Sequence, residues 1–198
     1  MALNNVLELA APSPRVTGGV LRAKVGTELP VGAIGAPAAA FKNLGHVGDD
    51  GLERTEDRSN QEVNNWGGDL VAVLQEKYGL EIKFKLLQVL NADVQKAVHG
   101  DDNVTVTPAD DQQGTEIAAK LNAKLLDTGA WVFDGFYNAI SMRLVIPIGR
   151  ITAVAPIKWS HKELAAYECT LKPFPDEDGN HGYQYWNDGV VVLNGGGE

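Results

Sequence analysis

The sequence has little cysteine, histidine or positive charge, and each shortage excludes a class of protein. A single cysteine, Cys169, rules out an internal disulfide in a chain of 198 residues. Seventeen Lys and Arg residues against 26 Asp and Glu residues give a net charge of -9. Nucleic-acid binders gain much of their affinity from Lys and Arg that neutralise phosphates. The composition therefore argues against a protein that binds nucleic acid through its phosphates, but not against a surface that nucleic acid passes without binding.

Long apolar runs are also missing. No stretch approaches the roughly 20 apolar residues of a membrane-spanning helix. Residues 1–14 contain Glu8 and lack the basic cluster that opens a signal peptide. We therefore expect neither a membrane partner nor a targeting segment. The chain is 44% hydrophobic and contains 22 glycines, which is typical of a β-rich domain with a sizeable core and many turns.

Groupings of catalytic or metal-binding residues are absent as well. The acidic turn 176–180 opens like a calcium loop, but its twelfth position is Asn187 instead of Glu, and no helices flank it. No nucleophile elbow or phosphate-binding loop is found. The histidines lack ligand spacing, and the acidic pairs lie in predicted loops without apolar neighbours that could shift a pKa. These residues are His46, His99, His161 and His181, and Asp49-Asp50, Asp101-Asp102 and Asp110-Asp111. The sequence predicts no catalytic residue, no metal ligand and no cofactor.

The stretch 66–100 carries the clearest pattern. Alternation over 69–77 and again over 81–86 predicts two strands, and Tyr78-Gly79 between them predicts a tight hairpin turn. Asn91 is a suitable N-cap for a short helix over 92–99. Gly100 is suited to end that helix.

Alternating apolar residues predict further strands on either side. An apolar row from Ile140 to Ile146 ends at Pro147, which cannot donate to a strand ladder. The predicted strands are 17–25, 131–136, 140–146, 151–159 and 165–172. Many short strands separated by turn residues predict a mainly β fold, a β-sandwich or partly closed barrel with one flanking helix.

Several segments leave alternatives open. Residues 116–126 fit both a strand and a helix, and their strand neighbours favour the strand. Residues 1–16 are either disordered or an arm that orders against another subunit. Residues 26–40 are rich in Gly, Pro and Ala and predict a long irregular segment. The predicted boundaries are therefore an N-terminal arm over 1–16, one β-domain over 17–188 and a flexible tail over 189–198.

Several different short motifs follow one another in a fixed order along residues 17–188. They are Gly26-Thr27-Glu28-Leu29-Pro30, Leu44-Gly45-His46-Val47 with Asp50-Gly51, Trp66-Gly67, Lys85-Leu86-Leu87-Gln88, Ala130-Trp131-Val132-Phe133-Asp134, Arg143-Leu144-Val145-Ile146-Pro147, Ala166-Tyr167-Glu168-Cys169-Thr170-Leu171 and the turn 176–179. Their order resembles the major tail protein, or tail tube protein, of long-tailed, non-contractile phages. Gln88 stands where that family usually has Glu.

The resemblance implies a structural virion protein and no enzyme. It implies a β-sandwich that assembles with copies of itself into hexameric rings, which stack into the tail tube through which the genome is ejected. Partners implied in the same way are the tape measure and tail terminator proteins, with DNA passing through unbound. The protein would be made in the host cytoplasm and would end in the virion tail.

The charge pattern fits such a conduit. A negatively charged wall repels phosphates, so DNA slides along it. Glu81, Lys83 and Lys85 are candidates for the wall, although the two lysines would weaken the repulsion. The long segments 26–43 and 50–66 are predicted to fold onto a neighbouring subunit on assembly.

Two alternatives remain. The tube protein of a contractile tail or secretion machine would share the fold. A β-sandwich module that binds carbohydrate or another ligand would need a concave site of convergent polar and aromatic groups. The sequence shows no such cluster.

Overall fold

The computed structural model describes residues 10, 12–14 and 19–190 and has a mainly β architecture. One α-helix, α1 (Ala92–His99), follows the fifth strand, and a short 3-10 turn, Asp101–Asn103, follows that helix. The strands over the described residues are β1 (Ser13–Pro14), β2 (Val20–Lys24), β3 (Lys42–Asn43), β4 (Val47–Asn64), β5 (Leu70–Leu86), β6 (Val104–Thr107), β7 (Glu116–Ala119), β8 (Gly129–Tyr137), β9 (Ile140–Val154), β10 (Tyr167–Phe174) and β11 (Tyr183–Asn187).

One large antiparallel sheet holds most of these strands. Its order is β3-β2-β8-β9-β10-β5-β4, with β1 paired to β8 and β11 paired to β9. β6 and β7 form a separate pair. Over the described residues the large sheet does not close on itself. It curves so that its inner face packs on α1 and on its own far strands, which gives a β-sandwich-like fold.

The main core lies on the inner face of that sheet. Phe84 on β5 packs against the rings of Trp131 and Phe133 on β8, at centroid distances of 5.9 Å and 5.4 Å. Helix α1 contributes Val94 and Val98, which are four residues apart and both buried. The Trp131 indole N–H donates to the carbonyl of Gly149 at 3.2 Å, so its buried polar atom is satisfied.

A second, smaller core lies on the opposite face of β8 and β9. It contains Ala23, Phe41, Ala130, Val132 and Val145, and the segment 26–41 covers it. Both faces of the centre of β8 are therefore buried. This explains why residues 129–135 are buried without alternation.

A buried ion pair crosses the second face. Arg143 on β9 lies opposite Asp134 on β8. Its Nε and Nη2 donate to the two carboxylate oxygens at 2.5 Å and 2.8 Å. The remaining guanidinium hydrogens reach the carbonyls of Gly32 and Gly35 at 3.2 Å and 2.9 Å. Arg143 thus holds two carbonyls of the irregular segment 26–41 against the sheet, in addition to the packing of Phe41.

The predicted helix is confirmed, with both of its ends. Asn91 Oδ1 accepts a hydrogen bond from the Asp93 backbone N–H, as an N-cap does. Gly100 ends the helix with a φ of 97° and donates its N–H to the Lys96 carbonyl. The predicted strand 165–172 corresponds to β10, in which Tyr167, Cys169 and Leu171 are buried.

The predicted hairpin turn at Tyr78-Gly79 is wrong. β5 runs from Leu70 to Leu86 without interruption, and Gly79 pairs with Asp57 without adopting a positive φ. The turn lies at 65–69 instead. The segment 50–66, which was predicted to fold onto a neighbouring subunit on assembly, lies mostly in β4 and is already paired with β5 in one chain.

Other strand boundaries differ from the sequence predictions. β9 continues past Pro147 to Val154. The ladder with β8 shifts register there, so no backbone N–H is required from Pro147. Residues 155–159 lie outside the strands, so the predicted strand 151–159 is only partly correct. The strand prediction for 116–126 holds for Glu116–Ala119 alone. Residues 1–9, 11, 15–18 and 191–198 lie outside the described residues, so most of the predicted arm and tail is not covered.

Replacing Arg143 tests the buried pair. Arg143→Met leaves the Asp134 carboxylate buried without its cation and two carbonyls without their donor. We expect the free energy of unfolding to fall by about 3–5 kcal/mol in chemical denaturation. The double variant Arg143→Met/Asp134→Leu should recover part of that loss, because no buried charge remains unpaired.

The matched control is Lys77→Met, which removes a lysine 3.9 Å from Asp57 in an exposed pair. It should change stability by less than about 1 kcal/mol. A loss in Arg143→Met no larger than that of the control would contradict the anchoring role of Arg143.

Candidate assembly surfaces

The distal part of the β4–β5 hairpin projects from the body as a two-stranded arm. We call residues 57–77 the hairpin arm. Every residue in it is exposed except the half-buried Ser59 and Val63. From Tyr78 to Leu70 the arm spans about 26 Å at the usual rise of a strand. It therefore extends well beyond the core that holds the other half of β5.

A tight turn closes the arm. The Asn65 side-chain oxygen accepts the backbone N–H of Asp69 at 2.9 Å, and the Gly68 N–H donates to the Asn65 carbonyl at 3.0 Å. Gly68 has a φ of 88°, which favours glycine. Trp66 at the tip is fully exposed. The turn thus presents a large aromatic side chain at the end of the arm.

The arm carries apolar side chains that the described part of the chain leaves uncovered. Leu70, Val71, Val73 and Leu74 are each 53–59% exposed. Successive side chains of a strand point to opposite faces, so these apolar residues are distributed over both faces of the arm. An isolated two-stranded hairpin is at best marginally stable in water. A partner that covers these residues would stabilise the arm.

Both outer edges of the arm are free within the described chain. β4 pairs with β5 alone, and β5 pairs with β10 only from Ile82 to Leu86. A strand edge of this kind offers a row of backbone N–H and C=O groups to another chain.

The base of the arm is held against the turn that precedes β11. The Arg58 guanidinium lies 4.6 Å from the centroid of the Tyr78 ring. The Tyr78 ring meets the His181 ring edge to face at 4.9 Å. Arg54 also donates to the Gln184 side chain. These contacts fix the direction in which the arm leaves the body.

A second exposed apolar surface lies at the opposite end of β5. A groove of about 600 Å³ separates the loop that joins β9 to β10 from the chain entering α1. Leu90 and Trp159 in its lining are 87% and 93% exposed. Contiguous exposed apolar surfaces of this kind mark interaction sites.

The outer face of β4, β5 and β10 is polar and contains the predicted wall residues. Lys83 lies 3.9 Å from Glu53, and Lys172 lies 3.0 Å from Glu81. Lys85 lies on the same face, opposite Glu168 of β10. Carboxylates therefore neighbour each of these lysines. Exposed pairs of this kind add little to stability, but they reduce the positive charge offered to a passing anion.

The acidic and histidine residues considered for chemistry do not converge. Within the part of the chain that the structure describes, no group of three His, Cys, Asp or Glu residues could hold a metal ion. In the turn 176–180, the Tyr183 hydroxyl donates to Asp176 at 2.6 Å and holds the pKa of that carboxyl below its usual value. Backbone N–H groups of Gln112 and Gln113 lower the pKa of Asp110 in the same way. Burial lowers the pKa of His99. The two carboxylates serve the geometry of their turns.

Comparison with protein families identifies the chain. Residues 1–192 match the family described as phage tail tube protein. The chain belongs to this family. It is therefore a structural component of the virion tail. No individual curated protein matches the sequence. Among the described residues of this tail tube protein, no helix is long and apolar enough to cross a membrane.

The sequence interpretation missed the hairpin arm of the tail tube protein. The signal was present in Asn65-Trp66-Gly67-Gly68-Asp69, which combines a side-chain-capped turn with a glycine at positive φ. The sequence prediction placed the hairpin turn at Gly79 instead. The groove beside Leu90 had no sequence signal, because its two sides come from segments about 70 residues apart.

The single thiol of this tail tube protein provides a test of the core. Burial, with a smaller effect of the neighbouring Glu168, raises the pKa of Cys169 to about 12. At pH 8 only about one thiol in ten thousand would be ionised, and the thiolate is the reactive form. We expect intact-mass measurement to find no maleimide adduct on the native protein and one adduct per chain in denaturant.

A variant with an exposed thiol, Lys124→Cys, should gain one adduct in the native state under the same conditions. Prompt labelling of Cys169 in the native unmodified protein would contradict its placement in the core.

Proposed function

We propose that the protein is the repeating subunit of the phage tail tube, assembled as hexameric rings that stack into the conduit for genome ejection. The hairpin arm carries this proposal. It combines exposed apolar residues with two free strand edges, and nothing in the described part of one chain covers either of them. A subunit built in this way gains stability by joining copies of itself.

Contacts between unlike surfaces would produce the tube. Head-to-tail contacts close into a ring when the rotation allows it, and contacts along the axis extend the ring into a filament. The arm supports such an assembly because it projects away from the core and can reach another copy. Strand addition at its free edges would supply backbone hydrogen bonds, while side chains would set the register.

The charge of the chain supports a channel for DNA. With a net charge of -9, the protein lacks the excess of Lys and Arg side chains that binds the phosphates of nucleic acids. On the polar face of β4, β5 and β10, carboxylates neighbour Lys83, Lys85 and Lys172. If this face lines the channel, these lysines are partly neutralised, and DNA would slide along the wall instead of binding.

The remaining parts of the proposal follow from the role of a tail subunit. The tube would contact the tape measure protein inside and the tail terminator protein at its end. The subunit would be made in the host cytoplasm, and it would carry out no enzymatic reaction. The β-domain would span residues 17–188, between an N-terminal arm and a C-terminal tail.

Electron microscopy of concentrated protein tests the proposal directly. The unmodified chain should form rings and tubes. A variant in which Asn-Gly replaces residues 59–77 joins Arg58 to its partner Tyr78 through a two-residue turn. We expect this variant to keep the folded body, as judged by circular dichroism and chemical denaturation, and to remain a single chain in analytical ultracentrifugation.

An unmodified chain that stays monomeric at high concentration would contradict the proposed function. A shortened variant that forms normal tubes would show instead that the arm does not join the copies.

A further inference from the structure

The arm tip and the groove beside Leu90 lie at opposite ends of one long strand. The groove is next to Tyr167, which pairs with Leu86 at the end of β5. The arm tip follows Leu70, the first residue of the same strand, sixteen residues away. At the usual rise of a strand the separation is roughly 50 Å. The arm therefore cannot reach the groove of its own chain.

Both surfaces expose large apolar side chains. The arm presents the fully exposed Trp66 and the apolar run from Leu70 to Leu74. The groove has a volume of about 600 Å³ and an apolar lining that includes Val89, Leu90, Ile157 and Trp159. Tryptophan is among the residues that most often dominate binding energy when seated in a pocket.

Their charges are complementary as well. The arm beyond Ser59 carries Glu62, Asp69 and Glu76 against Lys77, a net charge of -2. The loop at 155–166 carries Lys158 and Lys162 against Glu163, a net charge of +1. In an acidic protein, this basic loop is an unusual neighbour for an apolar groove. Complementary charge around an apolar contact favours the correct partner over others.

We propose that the hairpin arm of one copy docks in the groove beside Leu90 of the next copy, with Trp66 as its anchor. The occupant is a second copy because one chain carries both surfaces and cannot join them itself. This docking rests on the proposed self-assembly and names the surface that receives the arm. Each chain gives its arm to one neighbour and receives an arm from another, which is the head-to-tail arrangement that a ring or filament requires.

Site-specific cross-linking tests the docking. Asn64→Cys places a thiol near the arm tip and leaves Trp66 intact, and Lys158→Cys places one beside the groove and leaves its apolar lining intact. The native Cys169 is buried and its pKa is raised to about 12, so it should not react. After assembly and treatment with a short bis-maleimide, the double variant N64C/K158C should give a ladder of linked chains on a denaturing gel.

In the matched control N64C/K124C, a cysteine also replaces an exposed lysine, and the protein should migrate as a single chain on the denaturing gel. Tubes that form without a ladder in N64C/K158C, or an equal ladder in the control, would overturn the docking and leave the proposed function intact. If the unmodified chain forms no rings or tubes, the proposed function itself fails, and the docking fails with it.

A charge-reversal experiment tests the same contact without cysteine chemistry. Glu62→Lys/Glu76→Lys reverses the sign of the net charge of the arm, and Lys158→Glu/Lys162→Glu reverses that of the loop. Each variant alone should lose assembly, because like charges then face each other. An equimolar mixture should regain it, since the two variants can alternate around an even-numbered ring. Normal assembly of both variants alone, or no recovery in the mixture, would overturn the docking.

Discussion

Within the described residues, one copy of this chain leaves apolar residues of its longest paired strands exposed. β5 divides into two halves at Tyr78. The half toward Leu86 alternates, with Leu80, Ile82, Phe84 and Leu86 in the core. The half toward Leu70 carries residues of similar hydrophobicity, but no second layer among the described residues covers them. Because two strands alone are barely stable in water, contacts that cover these residues would stabilise the arm.

The body supplies the rigidity from which such an arm can work. Tyr78 lies where the arm meets the core, between the Arg58 guanidinium and the His181 ring. Below it, β5 is paired on both sides, by β4 and β10. The arm is therefore an extension of a well-packed sheet, and its direction is set by the body. This is the property that a repeating subunit needs, because small errors in direction accumulate along an assembly.

The ion pair between Arg143 and Asp134 has a different role. Buried pairs add little net stability relative to apolar residues of the same size, although breaking one is costly. Here the guanidinium also holds the carbonyls of Gly32 and Gly35, so it fixes an irregular segment that has no ladder of its own. The pair thus contributes more to a single defined conformation of this segment than to net stability. It covers the second face of β8 and β9 with a defined surface.

Much of the architecture was predictable from the sequence because it depends on local pattern. Alternation identified the strands β8, β9 and β10, and Asn91 and Gly100 marked both ends of the helix, since caps and pleats act within a few residues. The order of short motifs led to the tail tube family, and the composition argued against a protein that binds nucleic acid through its phosphates. These conclusions required no knowledge of which segments meet.

Only the tertiary structure decided the features that depend on pairing between distant residues. The local sequence Tyr78-Gly79 predicts a turn. The fourteen residue pairs between β4 and β5 continue on both sides of it, so the turn lies at 65–69. Pro147 reads as a strand end, but a register shift against β8 accommodates it. The groove beside Leu90 exists because the pairing of Tyr167 with Leu86 brings the loop at 155–166 next to the start of α1. Local propensity is a weak force in a sheet, and long-range pairing overrides it.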